Sequence, residues 1–216
     1  DNAAMPAGIA FDVHIETNAI QYSCFSFSGG CGSIKIDHPA STSNPYAQIM
    51  VSMAGGTYNA HPIAVEYIAP YWYILNSDGT SIPGNGRSGA RFNVKVFAFT
   101  EFSYSDNRPQ IAGNLDGYAS NGAGISLERA FDDSGTYTRN LRFWWPIGQS
   151  TMPIIVTPNI SAPTTFSGLL SGAPTTNPKY VGIKYGTNSW QILNEDQSTI
   201  PTVTGFNVWG PPQLIP

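Results

Sequence analysis

Trp72-Tyr-Ile-Leu-Asn-Ser-Asp-Gly-Thr-Ser-Ile-Pro83 recurs as Trp190-Gln-Ile-Leu-Asn-Glu-Asp-Gln-Ser-Thr-Ile-Pro201, with Trp, Ile, Leu, Asn, Asp, Ile and Pro in matching places. The copies stand 118 residues apart (190 − 72). Each is preceded by a short alternating strand ending in tyrosine, Ile63-Ala-Val-Glu-Tyr67 and Val181-Gly-Ile-Lys-Tyr185, again 118 apart (181 − 63), so strand and motif keep their register without a gap. Each is followed by Phe-Asn-Val, at Phe92 to Val94 and Phe206 to Val208. Self-similarity at a fixed period decides architecture before any local feature does. Here it predicts two copies of one β unit.

Working outward, period-two alternation dominates and no segment carries a sustained helical stripe with caps. Short strands are expected at Ile20 to Phe27, Gly32 to Ile36, Ala47 to Met53, Ile63 to Tyr67, Tyr71 to Leu75 and Arg91 to Phe99. The second half offers Ile125 to Arg129, Arg139 to Trp145, Met152 to Thr157, Tyr180 to Tyr185, Trp190 to Leu193 and Phe206 to Trp209. Clusters of Gly, Pro, Ser and Asn separate them. The expected fold is all-β, built as two tandem related antiparallel β-sandwich or barrel-like modules. A second matched feature joins Ile49-Met-Val-Ser52 to Ile154-Ile-Val-Thr157, with His38-Pro39 and Trp145-Pro146 upstream. The expected division is 1–16 as an N-terminal strand, 17–100 as module one and 101–216 as module two. Two stretches, Leu115 to Asn140 and Pro158 to Pro178, are read as insertions enlarging the second.

The N-terminus echoes the motif's end: Asp1 to Pro6 then Phe11-Asp-Val13 resembles Asp78 to Pro83 then Phe92-Asn-Val94. Two readings follow. Phe11, Val13 and Ile15 form either the first strand of module one or a donor strand that completes a neighbouring subunit by pairing along an open sheet edge. The chain starts at Asp1 rather than Met, which reads as a mature chain after leader removal or as a cut boundary.

Composition narrows the function classes. At 216 residues the chain can bury its own cores. Charged residues are 11% and aromatic residues 12%, with 22 Gly and 17 Pro, so the surface is built from Ser, Thr, Asn and Gly. That pattern suits secreted β proteins, coat proteins and fibre subunits. The net charge is −4, and the ten Lys plus Arg do not cluster, which argues against nucleic-acid binding, where phosphates demand grouped cations. No run approaches the ~20 apolar residues that span a bilayer. Cys24 and Cys31 are the only cysteines. They read as one disulfide in an oxidising compartment, closed by a tight hairpin at Gly29-Gly30, with two buried thiols as the alternative.

Candidate chemistry is sparse. His38 and His61 precede proline, which holds them extended as turn entries, and His14 stands alone. No Gly-x-Ser-x-Gly elbow is present, and the few carboxylates show no local pairing of the kind a glycosidase needs. No cofactor and no metal site are expected. Asn76-x-Asp78 and Asn194-x-Asp196 are read as turn formers, because these side chains hydrogen-bond nearby backbone; the oxygen-ligand series of a calcium loop does not surround them. Trp72 and Trp190 are expected as core anchors. Tyr71, Tyr73, Trp144 and Tyr118 remain candidate ligand contacts, since flat aromatic faces pack on sugar rings while polar tips hydrogen-bond.

The string His61-Pro-Ile-Ala-Val-Glu-Tyr67, Trp72-x-Ile-Leu-Asn-x-Asp78, Ile82-Pro83 and Phe92-Asn-Val94 resembles a tandem β repeat of uncharacterised function in secreted bacterial surface proteins. Tyr180 to Val208 resembles it too, with Lys179-Tyr180 in place of His-Pro. The resemblance implies export and a tandem β architecture, and transfers no catalytic residue. The expected protein is a non-enzymatic extracellular structural or adhesive unit, a filament or surface-layer subunit assembling by strand exchange. A carbohydrate-binding module contacting cell-surface glycan is the alternative, and a viral coat or tail-fibre protein a further one.

Overall fold

A computed structural model describes residues 19–27, 29–45, 47–97, 115–120, 124–130, 140–143, 155–160, 176–185, 190–198, 200 and 205–209. Within them the chain is all-β. In order the strands are β1 (Ile20–Ser23), β2 (Ile34–Ile36), β3 (Gln48–Gly55), β4 (Ile63–Ile68), β5 (Tyr71–Asn76), β6 (Arg91–Phe97), β7 (Leu115–Ser120), β8 (Gly124–Ala130), β9 (Asn140–Phe143), β10 (Ile155–Asn159), β11 (Val181–Tyr185), β12 (Trp190–Asn194) and β13 (Gly205–Trp209). Alternation explains why these segments extend. Along β5, Trp72, Ile74 and Asn76 are buried while Tyr71, Tyr73 and Leu75 are half-buried on the other face.

Three sheets result: β1-β6-β3, β2-β5-β4-β10-β13-β8-β7 and β11-β12-β9. The pairing in the first half recurs in the second, strand for strand. β4 and β5 pair as Ile63↔Asn76, Ala64↔Leu75, Val65↔Ile74, Glu66↔Tyr73 and Tyr67↔Trp72. Adding 118 to each number gives the β11–β12 pairs Val181↔Asn194, Gly182↔Leu193, Ile183↔Ile192, Lys184↔Gln191 and Tyr185↔Trp190. Because a one-residue slip would turn every side chain to the opposite face, this agreement fixes which residues share a face in both hairpins. β2 runs beside β5 with Ile34↔Ile74 and Ile36↔Trp72; β9 runs beside β12 with Leu141↔Ile192 and Phe143↔Trp190. The row Gln21↔Asn93↔Ser52 across β1, β6 and β3 matches the row Ser126↔Asn207↔Thr157 across β8, β13 and β10.

The core of the first half draws on both sheets. Ile34, Ile36, Val65, Trp72 and Ile74 from one meet Ile49, Val51, Phe92 and Val94 from the other, with Cys24, Ala47, Ile82 and Ala90 closing the ends. Burying side chains of this size stabilises by about 1.5–3 kcal/mol each. In the second half Ile192, Ile200 and Phe206 are likewise buried. Among the described residues a parallel pairing links the halves: Asn159 pairs with Val65, and the Ile160 amide donates to the Val65 carbonyl at 2.9 Å.

Several local expectations change. The strand anticipated over Ile20 to Phe27 ends at Ser23, because the Cys24 amide turns to the Ala90 carbonyl at 3.0 Å and Gly89 presses so close that an added Cβ would lie 2.0 Å from the Cys24 carbonyl oxygen. Cys24 and Cys31 form the disulfide, with Cα atoms 5.8 Å apart. They close a loop, not a strand hairpin, and Cys31 pairs instead with Ile82. Leu115 to Asn140, read as an insertion, holds β7 and β8; β8 occupies beside β13 the place that β1 occupies beside β6.

Candidate functional site: two asparagine turns and a buried junction

The turn after β5 is held by side chains that the Trp motif supplies. Asn76 is buried; its Oδ1 accepts from Asn59 Nδ2 at 2.7 Å, and its Nδ2 donates to Thr80 Oγ1 at 3.1 Å. Asp78 Oδ1 accepts from the Thr80 amide at 3.0 Å and hydroxyl at 2.6 Å, the pattern by which Asp stabilises a local turn. Its other oxygen lies 2.7 Å from His61 Nδ1. Burial works to raise the Asp78 pKa, but the Thr80 hydroxyl and amide and His61 together hold it below the ordinary value.

After β12 the same bonds appear at positions 118 higher. Asn177 Nδ2 donates to Asn194 Oδ1 at 2.7 Å, Asn194 Nδ2 to Ser198 Oγ at 3.2 Å, and the Ser198 amide to Asp196 Oδ1 at 2.9 Å. Lys179 takes the place of His61, its Nζ 2.8 Å from Asp196 Oδ2. Lys179, then the Ser198 hydroxyl and amide, drive the Asp196 pKa far below the usual carboxylate range. Two further differences mark the copies. Gly79 adopts φ 77° without cost, whereas Gln197 in the matching place is held at φ 59°. Asn59 Oδ1 accepts from Asn76 at 3.3 Å, while the buried Asn177 Oδ1 has no partner among the described residues. Asp78 and Asp196 thus accept from their own turns, while Asn76 and Asn194 donate into the turns from Nδ2 and accept from Asn59 and Asn177 at Oδ1.

Of the aromatic candidates, Trp72 is fully buried, donates from Nε1 to the Asn44 carbonyl at 2.8 Å and packs at a tilt on Tyr67, ring centroids 5.5 Å apart. Tyr71 is half-buried, and Lys35 Nζ sits over its ring 3.6 Å from the centroid, so that ring face carries a cation already. Tyr73 is half-buried beside Lys35 and Glu66 in the strand register. The side chains of Trp190 and Tyr118 lie outside the described residues, as do Trp144 and the N-terminal Phe11, Val13 and Ile15. Within the disulfide loop, Phe25 and Phe27 stack edge to face at 5.1 Å, and Phe27 is 83% exposed. Among the described residues no group of His, Cys, Asp and Glu is placed to hold a metal, and no helix is long and apolar enough to cross a membrane.

A second cluster escaped sequence reasoning. Where the halves meet, Thr157, Asn159 and Asn207 are all buried. Thr157 Oγ1 accepts from the Val51 amide at 3.1 Å, and Asn207 Nδ2 donates to the Ile49 carbonyl at 2.9 Å. Asn159 Nδ2 donates to Asn207 Oδ1 at 3.0 Å. Ile49 and Val51 lie on β3, the edge of its sheet, so side chains from β10 and β13 satisfy backbone groups that an open edge would leave to water or to another chain. The available signal was an Asn in the middle of both Phe-Asn-Val strands, a position Asn disfavours.

Residues 1–96 match the model of a domain of unknown function, DUF7452. That match ends inside β6 and takes in the first half. Nothing matches among curated proteins, and nothing among solved structures.

Proposed function

We propose that the chain is a non-enzymatic structural protein of the extracellular space, made of two tandem β-sandwich units that serve as building blocks of a larger surface assembly. The single observation that carries this reading is the recurrence, at +118, of both the β4–β5 register and the hydrogen bonds of its turn in β11–β12. Side chains described in detail are committed to internal bonds: Asn76 to the side chains of Asn59 and Thr80, Asp78 to the Thr80 amide, Thr157 and Asn207 to the β3 edge. A disulfide supports an oxidising compartment.

Labelling of the intact source with an antibody to the chain tests the proposal: dense labelling of an exterior assembly supports it, and labelling confined to the cell interior overturns it.

A further inference from the structure

The first half carries a disulfide loop, and the second half has no cysteine. Cys24-Phe-Ser-Phe-Ser-Gly-Gly-Cys31 holds both cysteines of the chain, and eight residues separate Pro83 from Phe92 where four separate Pro201 from Phe206. The longer connection serves as a bed for the loop. The Gly86 amide donates to the Ser26 carbonyl at 2.8 Å, and the Cys31 amide to the Ile82 carbonyl at 2.9 Å. A Cβ on Gly86 would lie 2.6 Å from Phe27 Cε1, and one on Gly84 would lie 2.9 Å from Ser26 Cβ, so glycine is what lets the loop settle this closely. The disulfide pins its two ends. What this clamped structure presents to water is apolar. Phe25 and Phe27 are 58% and 83% exposed, edge to face with ring centroids 5.1 Å apart. Arg87, next to Gly86, is exposed, and Arg91 donates from Nη2 to the Arg87 carbonyl at 2.8 Å. Neither Cys24 to Cys31 nor Pro83 to Arg91 contains Asp or Glu. Folding gains nothing from holding two adjacent rings in water, and a contiguous apolar patch with a polar rim marks a surface that meets something else.

We propose that this tip rests on a lipid bilayer bearing anionic headgroups, with Phe25 and Phe27 entering the boundary between headgroups and acyl chains and Arg87 facing the phosphates. Phenylalanine has no polar tip to hydrogen-bond a sugar hydroxyl, as tyrosine and tryptophan do, so a glycan fits the pair poorly. Two rings supply roughly 300–500 Å², short of the ~800 Å² that each partner gives to a stable protein interface. A bilayer demands no matching shape; apolar area together with nearby cations is what binds an anionic membrane surface, and Arg91 adds to the local positive charge. The inference concerns the disulfide loop and its bed alone, and it holds whether or not the two halves are copies of one unit.

Co-flotation of the full chain in low-salt buffer with vesicles of phosphatidylcholine, and with vesicles that also contain phosphatidylglycerol, tests this. Expected is binding to the mixed vesicles that Phe27→Ser weakens at least ~10-fold and Arg87→Gln weakens about 5-fold, with weaker binding to the neutral vesicles that Arg87→Gln leaves unchanged. Both side chains are exposed, so circular dichroism of each variant should match the parent. Lipid brominated along its acyl chains should quench the emission that Phe27→Trp adds to the parent's. A parent chain that binds neither vesicle overturns the proposal, even if it captures another protein. Binding that survives the Phe25→Ser and Phe27→Ser pair, or an unquenched Phe27→Trp, would mark attraction by charge alone and overturn it too.

Discussion

The two asparagine turns use one frame and two different nitrogen partners. His61 meets Asp78 at 2.7 Å, and Lys179 meets Asp196 at 2.8 Å, while the Asn–Asn and Asp–backbone bonds beneath them agree within a few tenths of an ångström. The difference teaches where the constraint lies. Buried amides without partners are costly, so the asparagines are fixed by packing; the nitrogen partner faces water and is exchangeable. A second contrast separates outward rows of equal register: Ser52 and Asn93 exposed, Thr157 and Asn207 buried. Position in the strand does not decide burial there; the presence of a neighbouring β3 edge does.

The strongest way to break the comparison is at the indoles. Trp72→Ala removes a fully buried ring and orphans the Asn44 carbonyl, and should cost about 3–5 kcal/mol in urea unfolding. Register equivalence predicts a loss of the same order for Trp190→Ala; an effect under about 1 kcal/mol, the range of an exposed site, would separate the halves. Next come the amides. Asn76→Ala and Asn194→Ala should each cost about 1–3 kcal/mol by leaving buried partners unmatched, and Asn207→Ala should do the same at the junction. Asn93→Ala, in the matching strand position, should fall within about 0.5 kcal/mol in dilute solution.

Two smaller effects sharpen it further. Gln197→Gly relieves a left-handed backbone and should stabilise by up to about 1 kcal/mol, less what glycine returns to the unfolded chain. His61→Lys should shift stability by no more than about 0.5 kcal/mol, since exposed ion pairs contribute little. The pH dependence has one sign for both turns. The native carboxylates of Asp78 and Asp196 lie below their unfolded values, so their stabilisation is present above about pH 4 and lost as pH falls through the native pKa. Asp78→Asn should therefore flatten the acid limb of a stability–pH curve, and an unchanged limb would show the turn bonds to be dispensable.

Much of this architecture was legible because its determinants are local. The Trp motif, the alternation of Ile63 to Tyr67 and the even pair of cysteines each announce a strand, a hairpin or a bridge from neighbouring residues alone. What escaped is set by distant partners. Tyr22 and Leu127 share no chemistry, yet both face a Phe-Asn-Val phenylalanine, so β8 looked like part of an insertion. β7, with Asp116 and Gly117 in its run, lacks strand propensity and extends because β8 offers an edge. Thr157 and Asn207 read as ordinary outward polar residues until a second sheet edge arrives beside them.

Hydrogen exchange at the assigned indole N–H groups of Trp72 and Trp190 tests the central claim most directly. If both halves are one unit folded twice, the two indoles exchange only through comparable opening events, each protected far beyond an exposed tryptophan. A protected Trp72 beside a Trp190 that exchanges at the rate of a free indole would contradict it.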